Sequence, residues 1–245
     1  MMSFAPDTPV CGVDGCRGGW VAVYGAPDSP RTAVFSDFAA LLAAFDPATI
    51  IAVDMPIGLP DRVSGGGRGP EQAVRPFLGQ RQSSVFSIPA RGAVQAPDYR
   101  SACVTALATS DPPRKVSKQA FFLFPKILEI DRCLRDDEGL RHRVIECHPE
   151  FGFCVLNGMR PMATPKKIRG RVNPDGIAER IALLADRGLA PDFFDAPPPR
   201  GVAADDRVDA AVNLLIAVRH RDGLTRPWPD PPGRDAQGIP IAIHG

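Results

Sequence analysis

The chain has 245 residues, 44% hydrophobic and 23% charged, enough apolar matter for one sizeable α/β domain or a domain with a large insertion. Its formal net charge of +1 argues for neither a nucleic-acid binder nor an enzyme of acidic substrates, and excludes only extremes of global charge. No apolar window approaches the ~18 residues of a membrane span, and MMSFAPDTPV lacks a basic-then-apolar leader, so a soluble, cytoplasmic protein without a membrane partner is expected.

Charge is unevenly spread. Residues 1–61 carry two basic and seven acidic side chains, whereas residues 62–126 carry ten basic and three acidic. An acidic segment is thus followed by a basic one. The six cysteines, Cys11, Cys16, Cys103, Cys133, Cys147 and Cys154, include no CxxC pair and read as reduced thiols.

In chain order, three strands are predicted at Val10 to Asp14, Trp20 to Tyr24 and Arg31 to Phe35, with Gly18–Gly19 and PDSP as turns. SDFAALLAAF follows as a short helix that Ser36 or Asp37 caps. The apolar opening of IIAVDMPIGLP, residues 50–60, predicts a strand buried on both faces and ending in Asp54. Residues 61–120 lose periodicity and read as a loop-rich insertion with one or two helices. A helix is expected after Pro125, with Ile127, Leu128, Ile130 and Leu134 inward, then a short strand in RVIECHPE, residues 143–150. Residues 173–188 form an amphipathic helix with Asn173 as cap and Pro174 at its first position. After a proline-rich connection, residues 205–223 give a last helix with Val208, Ala211, Val212, Leu215 and Val218 toward the sheet, and GIPIAIHG adds an edge strand.

This order makes a mixed sheet. A right-handed crossover from the third strand sets the fourth beside the first, in spatial order 3-2-1-4-5, so Asp14 and Asp54 become neighbours. An ionised aspartate at the end of a core strand needs a cation or strong hydrogen bonds to offset its lost hydration. The last helix contributes Asp205, Asp206 and Asp209, spaced three and four apart. Gathered carboxylates repel one another unless divalent cations intervene, and hard oxygen ligands suit Mg²⁺ or Mn²⁺. Two such ions serve phosphodiester hydrolysis.

Other readings stand beside this one. Asp205 is a natural N-cap, Asp206 and Asp209 suit the helix dipole, and Asp54 before Met-Pro suits a turn. Glu146 and His148 either extend the site or satisfy backbone groups at a strand end, and Glu150 tops a turn. The glycines of DGCRGG serve a tight turn or a phosphate contact. KKIRGR, residues 166–171, is a solvated cationic run or a phosphate-backbone grip, and RQSSVF is an insertion loop or a substrate-positioning segment.

Six blocks in fixed order, GVDGCRGGW at 12–20, DMPIGLP at 54–60, RQSSVFSIPAR at 81–91, ECHPEFGF at 146–153, KKIRGR at 166–171 and DDRVDA at 205–210, resemble a bacterial and archaeal family described as predicted RNase H-like nucleases. The resemblance spans nearly the whole chain. It implies an α/β, ribonuclease H-like mixed five-stranded sheet, order 3-2-1-4-5, with helices on both faces: one domain over 1–245, with an insertion at about 61–142 after the fourth strand. It also implies a nuclease with a two-ion Mg²⁺ or Mn²⁺ site. On the acidic pattern of RuvC-type Holliday junction resolvases, the matching residues are Asp14, Asp54, Asp206 and Asp209, with Glu146 as a further candidate ligand. The glutamate that ribonuclease H carries in its first helix has no counterpart, since that helix offers only Asp37. Arg81, Arg91, Lys166, Lys167 and Arg171 are the candidate contacts to a nucleic-acid backbone. Two competitors remain open at this stage: an actin-like ATP-dependent phosphotransferase, disfavoured because the glycine turn after the first strand's aspartate has no second copy, and a non-catalytic nucleic-acid-binding module on the same fold.

Overall fold

The computed structural model describes residues 4–245. Its first strands, Val10–Cys16 (β1), Gly19–Tyr24 (β2) and Arg31–Phe35 (β3), form an antiparallel meander. Helix Phe38–Ala44 (α1) follows, capped by Asp37, whose carboxylate accepts the Ala40 N–H at 2.8 Å, and leads into Ile50–Asp54 (β4). The insertion holds Val63–Ser64 (β5), Gly69–Val74 (α2), Arg91–Val94 (α3), Tyr99–Thr109 (α4), Ser110–Asp111 (β6) and Lys118–Asp136 (α5). Next come Val144–Glu146 (β7), Pro149–Leu156 (α6), a hairpin of Lys167–Ile168 (β8) and Arg171–Val172 (β9), Pro174–Asp186 (α7), Ala204–Arg221 (α8), Pro227–Arg234 (β10) and Pro240–His244 (β11).

The main sheet runs β10-β11-β7-β4-β1-β2-β3. Its part β3-β2-β1-β4-β7 has the expected 3-2-1-4-5 order, with β4 parallel to β1 and β7 parallel to β4. The expectation of five strands is corrected to seven. The segment GIPIAIHG becomes β11, which lies inside the sheet beside β7, and the edge is β10. β10 reads PWPDPPGR, a sequence no strand rule selects. Proline supplies no ladder N–H, so such a segment is tolerated only where one side faces solvent.

Alternation along β1 and β4 sends side chains to two covered faces. Cys11, Val13, Ile51 and Val53 pack with α1 and α5 on one face. Val10, Ile50 and Ala52 pack with α6, α7 and α8 on the other. Asp14 and Asp54 have the parity of this second set, so they face α8. α8 approaches closely because Gly12 has no side chain: a Cβ there would lie 2.0 Å from the Leu214 backbone nitrogen. Asn213, fully buried on α8, donates to the Val13 carbonyl at 2.9 Å and pins the contact.

Helix α5 begins at Lys118, ahead of the expected start after Pro125, because Ser117 caps it by accepting the Ala120 N–H at 3.1 Å. Pro125 sits on the exposed side of the helix, where its ring meets no packed neighbour element. The expected strand over 143–150 is only Val144–Glu146, since Pro149 opens α6 and His148 caps it. Glu150 therefore lies in the first turn of α6 and not on a turn between strands. All six cysteines are free thiols. Among the described residues, no helix is long and apolar enough to cross a membrane.

Candidate metal centre

Parallel register pairs Asp14 with Asp54 at the carboxyl ends of β1 and β4. Ligand crevices of open α/β sheets form outside this end of the strands. Asp209, one turn inside α8, brings a third carboxylate from the helix above. One oxygen from each of Asp14, Asp54 and Asp209 lies within 4.8 Å of the others. Asp14 is 8% exposed and Asp209 5%. The Gly15 N–H donates to Asp14 Oδ1 at 2.6 Å, whereas Asp209 Oδ1 is buried without any partner.

Burial, followed by the charges of Asp54 and Asp209, pushes the Asp14 carboxyl well above the usual range. Asp54 is raised to about 8 by burial and by Asp209, and Asp209 to about 6, chiefly by burial and against the pull of Lys166. The cation in this group is Lys166, whose Nζ contacts Asp209 Oδ2 in a short ion pair. Burial disfavours its ammonium, but Asp209, Asp14 and Asp205 outweigh that and hold it charged. Three gathered carboxylates thus face one half-buried lysine, which contacts only Asp209 among them.

The remaining candidates divide by their partners. Asp206 stands outside the group of three, and its Oδ2 accepts the Ala203 N–H at 3.0 Å, closing the open end of α8. Asp205, the expected cap, instead pairs with Lys167 at 2.6 Å. Both Glu146 oxygens are occupied, one by Arg68 Nη2 at 2.6 Å and the other by the Ile57 N–H at 2.7 Å. Arg68 also binds Glu71 and the carbonyls of Ile57 and Gly58, so Glu146 belongs to a buried clamp. Burial raises Glu146 to about 7 despite Arg68. Arg180 Nη2 donates to both Glu150 oxygens, at 2.7 and 2.8 Å. His148 accepts the Phe151 N–H at Nδ1, 3.4 Å away.

Among the arginines, Arg91 is committed to Asp131, through two contacts of 2.8 Å, and to Asp235 at 2.8 Å. Arg81 donates to the Ala163 carbonyl at 2.9 Å, and Arg171 is exposed on the β8–β9 hairpin. In DGCRGG, the Gly18 N–H is taken by the Gly201 carbonyl at 3.0 Å. Gly19 has φ 119°, and a Cβ there would lie 2.1 Å from the Phe35 carbonyl oxygen. These glycines serve the turn and leave no open N–H for a phosphate at Gly18.

Three residues have roles in this region that the sequence does not indicate. Arg68 lies within GGGRG and gives no periodic signal, although a lone arginine among glycines near buried acids is a clamp candidate. Lys166 lies in a cationic run that suggests a phosphate contact, and its pairing with Asp209, 43 positions away, is set by the tertiary fold. Phe122 falls off the apolar stripe of α5, four residues before Lys126, and it is that outward position that marks it.

The model of a family described as "Protein of unknown function (DUF429)" matches residues 12–234. No curated protein and no solved structure matches the chain. Since the match runs from β1 into the last residue of β10 and takes in Asp14, Asp54 and Asp209, the chain belongs to the DUF429 family, whose function is unknown.

Proposed function

We propose that this protein is a Mg²⁺- or Mn²⁺-dependent phosphodiesterase acting on nucleic acid, built on a ribonuclease H-like sheet. The observation that carries the reading is the meeting of Asp14, Asp54 and Asp209, distant in sequence, around a buried Asp209 oxygen with no partner. The donor set fits such an ion: all ligands are hard carboxylate oxygens, as Mg²⁺ and Mn²⁺ prefer. A divalent ion bound there supplies an activated water and a stabilised leaving oxygen for phosphodiester hydrolysis.

The protein's own groups have defined parts. Asp14 and Asp54 are held by adjacent strands, and Asp209 by a helix locked to β1 through Gly12 and Asn213, so the three carboxylates are rigidly spaced. Lys166 pairs with Asp209 when no metal is bound and leaves it when one is. It then joins Lys167 and Arg171 of the hairpin in gripping the phosphate backbone, contacts that add affinity without sequence preference. Arg81 remains a candidate for the same work. Arg91 is better read as a strut, given its pairs with Asp131 and Asp235. Three carboxylates serve one ion; a second would need Asp206 to give up the Ala203 N–H.

Manganese-supported cleavage of single-stranded, duplex, hybrid and branched substrates tests the reading. Wild type is expected to cut at least one, and Asp14→Asn and Asp209→Asn to lose that activity. Equal cutting by wild type and both variants sinks the assignment.

A further inference from the structure

Beside the acidic group lies a cavity of about 210 Å³ that Asp14 and Asp54 help to line. Its other walls come from separate parts of the chain: Met55 after β4, Ser84, Phe86 and Ile88 from the insertion, and Phe122 and Leu123 from α5. Phe122 is 73% exposed, far more than a phenylalanine at a helix–sheet boundary needs to be. Lys126, one turn on from Phe122, also lines the cavity, but its ammonium is spent on the Gly19 carbonyl, 2.5 Å away, and on the face of Trp20.

Charge decides what such a cavity takes. The carboxylates on its wall are Asp14, Asp54, Glu71 and Glu146, the last two already paired with Arg68. An anionic group therefore finds no free cation on these walls, Lys126 being engaged, while a neutral planar one finds apolar surface. Size narrows the choice. Pockets that enclose drug-sized ligands run from about 300 to 1,000 Å³, so 210 Å³ takes one ring system and not a dinucleotide. One polar atom is left for the edge of a ring: the Ser84 hydroxyl donates to the Arg81 carbonyl at 2.7 Å and keeps its lone pairs as acceptors, whereas both His148 ring nitrogens are engaged, by the Phe151 N–H and the Ser84 carbonyl.

We propose that this cavity, with Phe122 as its stacking face, receives one unpaired nucleobase of the strand whose phosphate lies at Asp14, Asp54 and Asp209. The proposal rests on the nuclease reading and narrows it to single-stranded or locally opened nucleic acid. A paired base cannot enter, because its stack and its partner hold it in the duplex. An enzyme that acts on an extruded base pays out unstacking energy and recovers it by stacking the base between aromatic and apolar side chains. RQSSVF then has a role as one wall of the pocket.

The test is equilibrium binding with calcium in place of manganese, using a single strand that carries 2-aminopurine, the same strand with an abasic residue at that position, and the matched duplex. Wild type is expected to quench the probe and to bind the intact strand more tightly than the abasic strand or the duplex. Phe122→Ala should weaken binding of the intact strand by about tenfold to a hundredfold, leave abasic binding unchanged, and be rescued by Phe122→Trp. Phe122 is exposed, so its truncation leaves the core intact. Equal binding of intact and abasic strands, indifference to Phe122→Ala, or no binding of any strand overturns the proposal. Cleavage in manganese is scored separately: an active enzyme indifferent to Phe122 loses only the pocket, whereas a protein that quenches the probe and never cuts loses only the nuclease reading.

Discussion

Two buried acidic groups lie within one sheet's width of each other and are built on opposite plans. At the Arg68 clamp, Glu71 and Glu146 share one guanidinium, and each of their four oxygens accepts from that guanidinium or from a backbone N–H. At the Asp14, Asp54 and Asp209 group, three carboxylates share one ammonium, and one oxygen has nothing. Burial of acids is common to both and does not distinguish them. What distinguishes them is the supply of donors: the first has a donor on every carboxylate oxygen, and the second leaves Asp209 Oδ1 with none. The clamp fixes the loop after β4, which carries Ile57 and Gly58, so its work is to hold the wall of the other group in place.

The comparison breaks most visibly at Arg68. Arg68→Ala leaves two buried carboxylates uncompensated and should cost about 3–5 kcal/mol of stability, read as a lower urea midpoint and poor recovery of folded protein. A loss under about 1 kcal/mol would show that the clamp is not what holds this loop.

A smaller effect is expected at Lys166. Its pair with Asp209 is a charge-assisted contact worth about 1.5–3 kcal/mol. Without metal, Lys166→Ala should unfold at lower temperature than wild type. Its affinity for manganese, measured by calorimetry, should rise about tenfold or more, because no ammonium competes for Asp209. If the variant binds manganese more weakly than wild type, Lys166 supports the ion and does not stand in for it.

The mildest test uses pH. Asp54 titrates near 8 in the folded protein, above its ordinary value of 3.8, so between these limits the folded state holds a proton that the unfolded state has released. Metal-free stability should therefore fall as pH rises from about 5 to about 8. Asp54→Asn should flatten that slope and raise metal-free stability at pH 8 by about 0.5–2 kcal/mol. Manganese should stabilise wild type more at pH 8 than at pH 6, since its ligands must be deprotonated. At Glu146 the clamp stays closed, so the response to manganese should survive Glu146→Gln wherever that variant folds. A metal-free protein whose melting temperature climbs steadily from pH 5 to 8 contradicts the raised Asp54.

Much of this architecture was legible before any coordinates. Alternation and turn residues located β1 to β4 within about two residues, and crossover handedness put β4 beside β1 and thus Asp54 beside Asp14. Helix α8 was evident from its apolar spacing. β10 was invisible because its prolines contradict strand propensity, and it exists only because β11 offers it an edge to pair with. The start of α5 was misjudged because Pro125 looks like a boundary, while the cap at Ser117 was too plain a signal to compete.

Local patterning, then, was enough to say that Asp14, Asp54 and a carboxylate of the last helix would face one end of the sheet, since strand parity and parallel register are properties of short segments. It was not enough to choose between Asp206 and Asp209, to assign Glu146 to Arg68 across 78 positions, or to bring Lys166 against Asp209. Those outcomes depend on which donor reaches which oxygen first in three dimensions. An ion pair between distant residues leaves no periodic trace along the chain, so only the packed structure decides it.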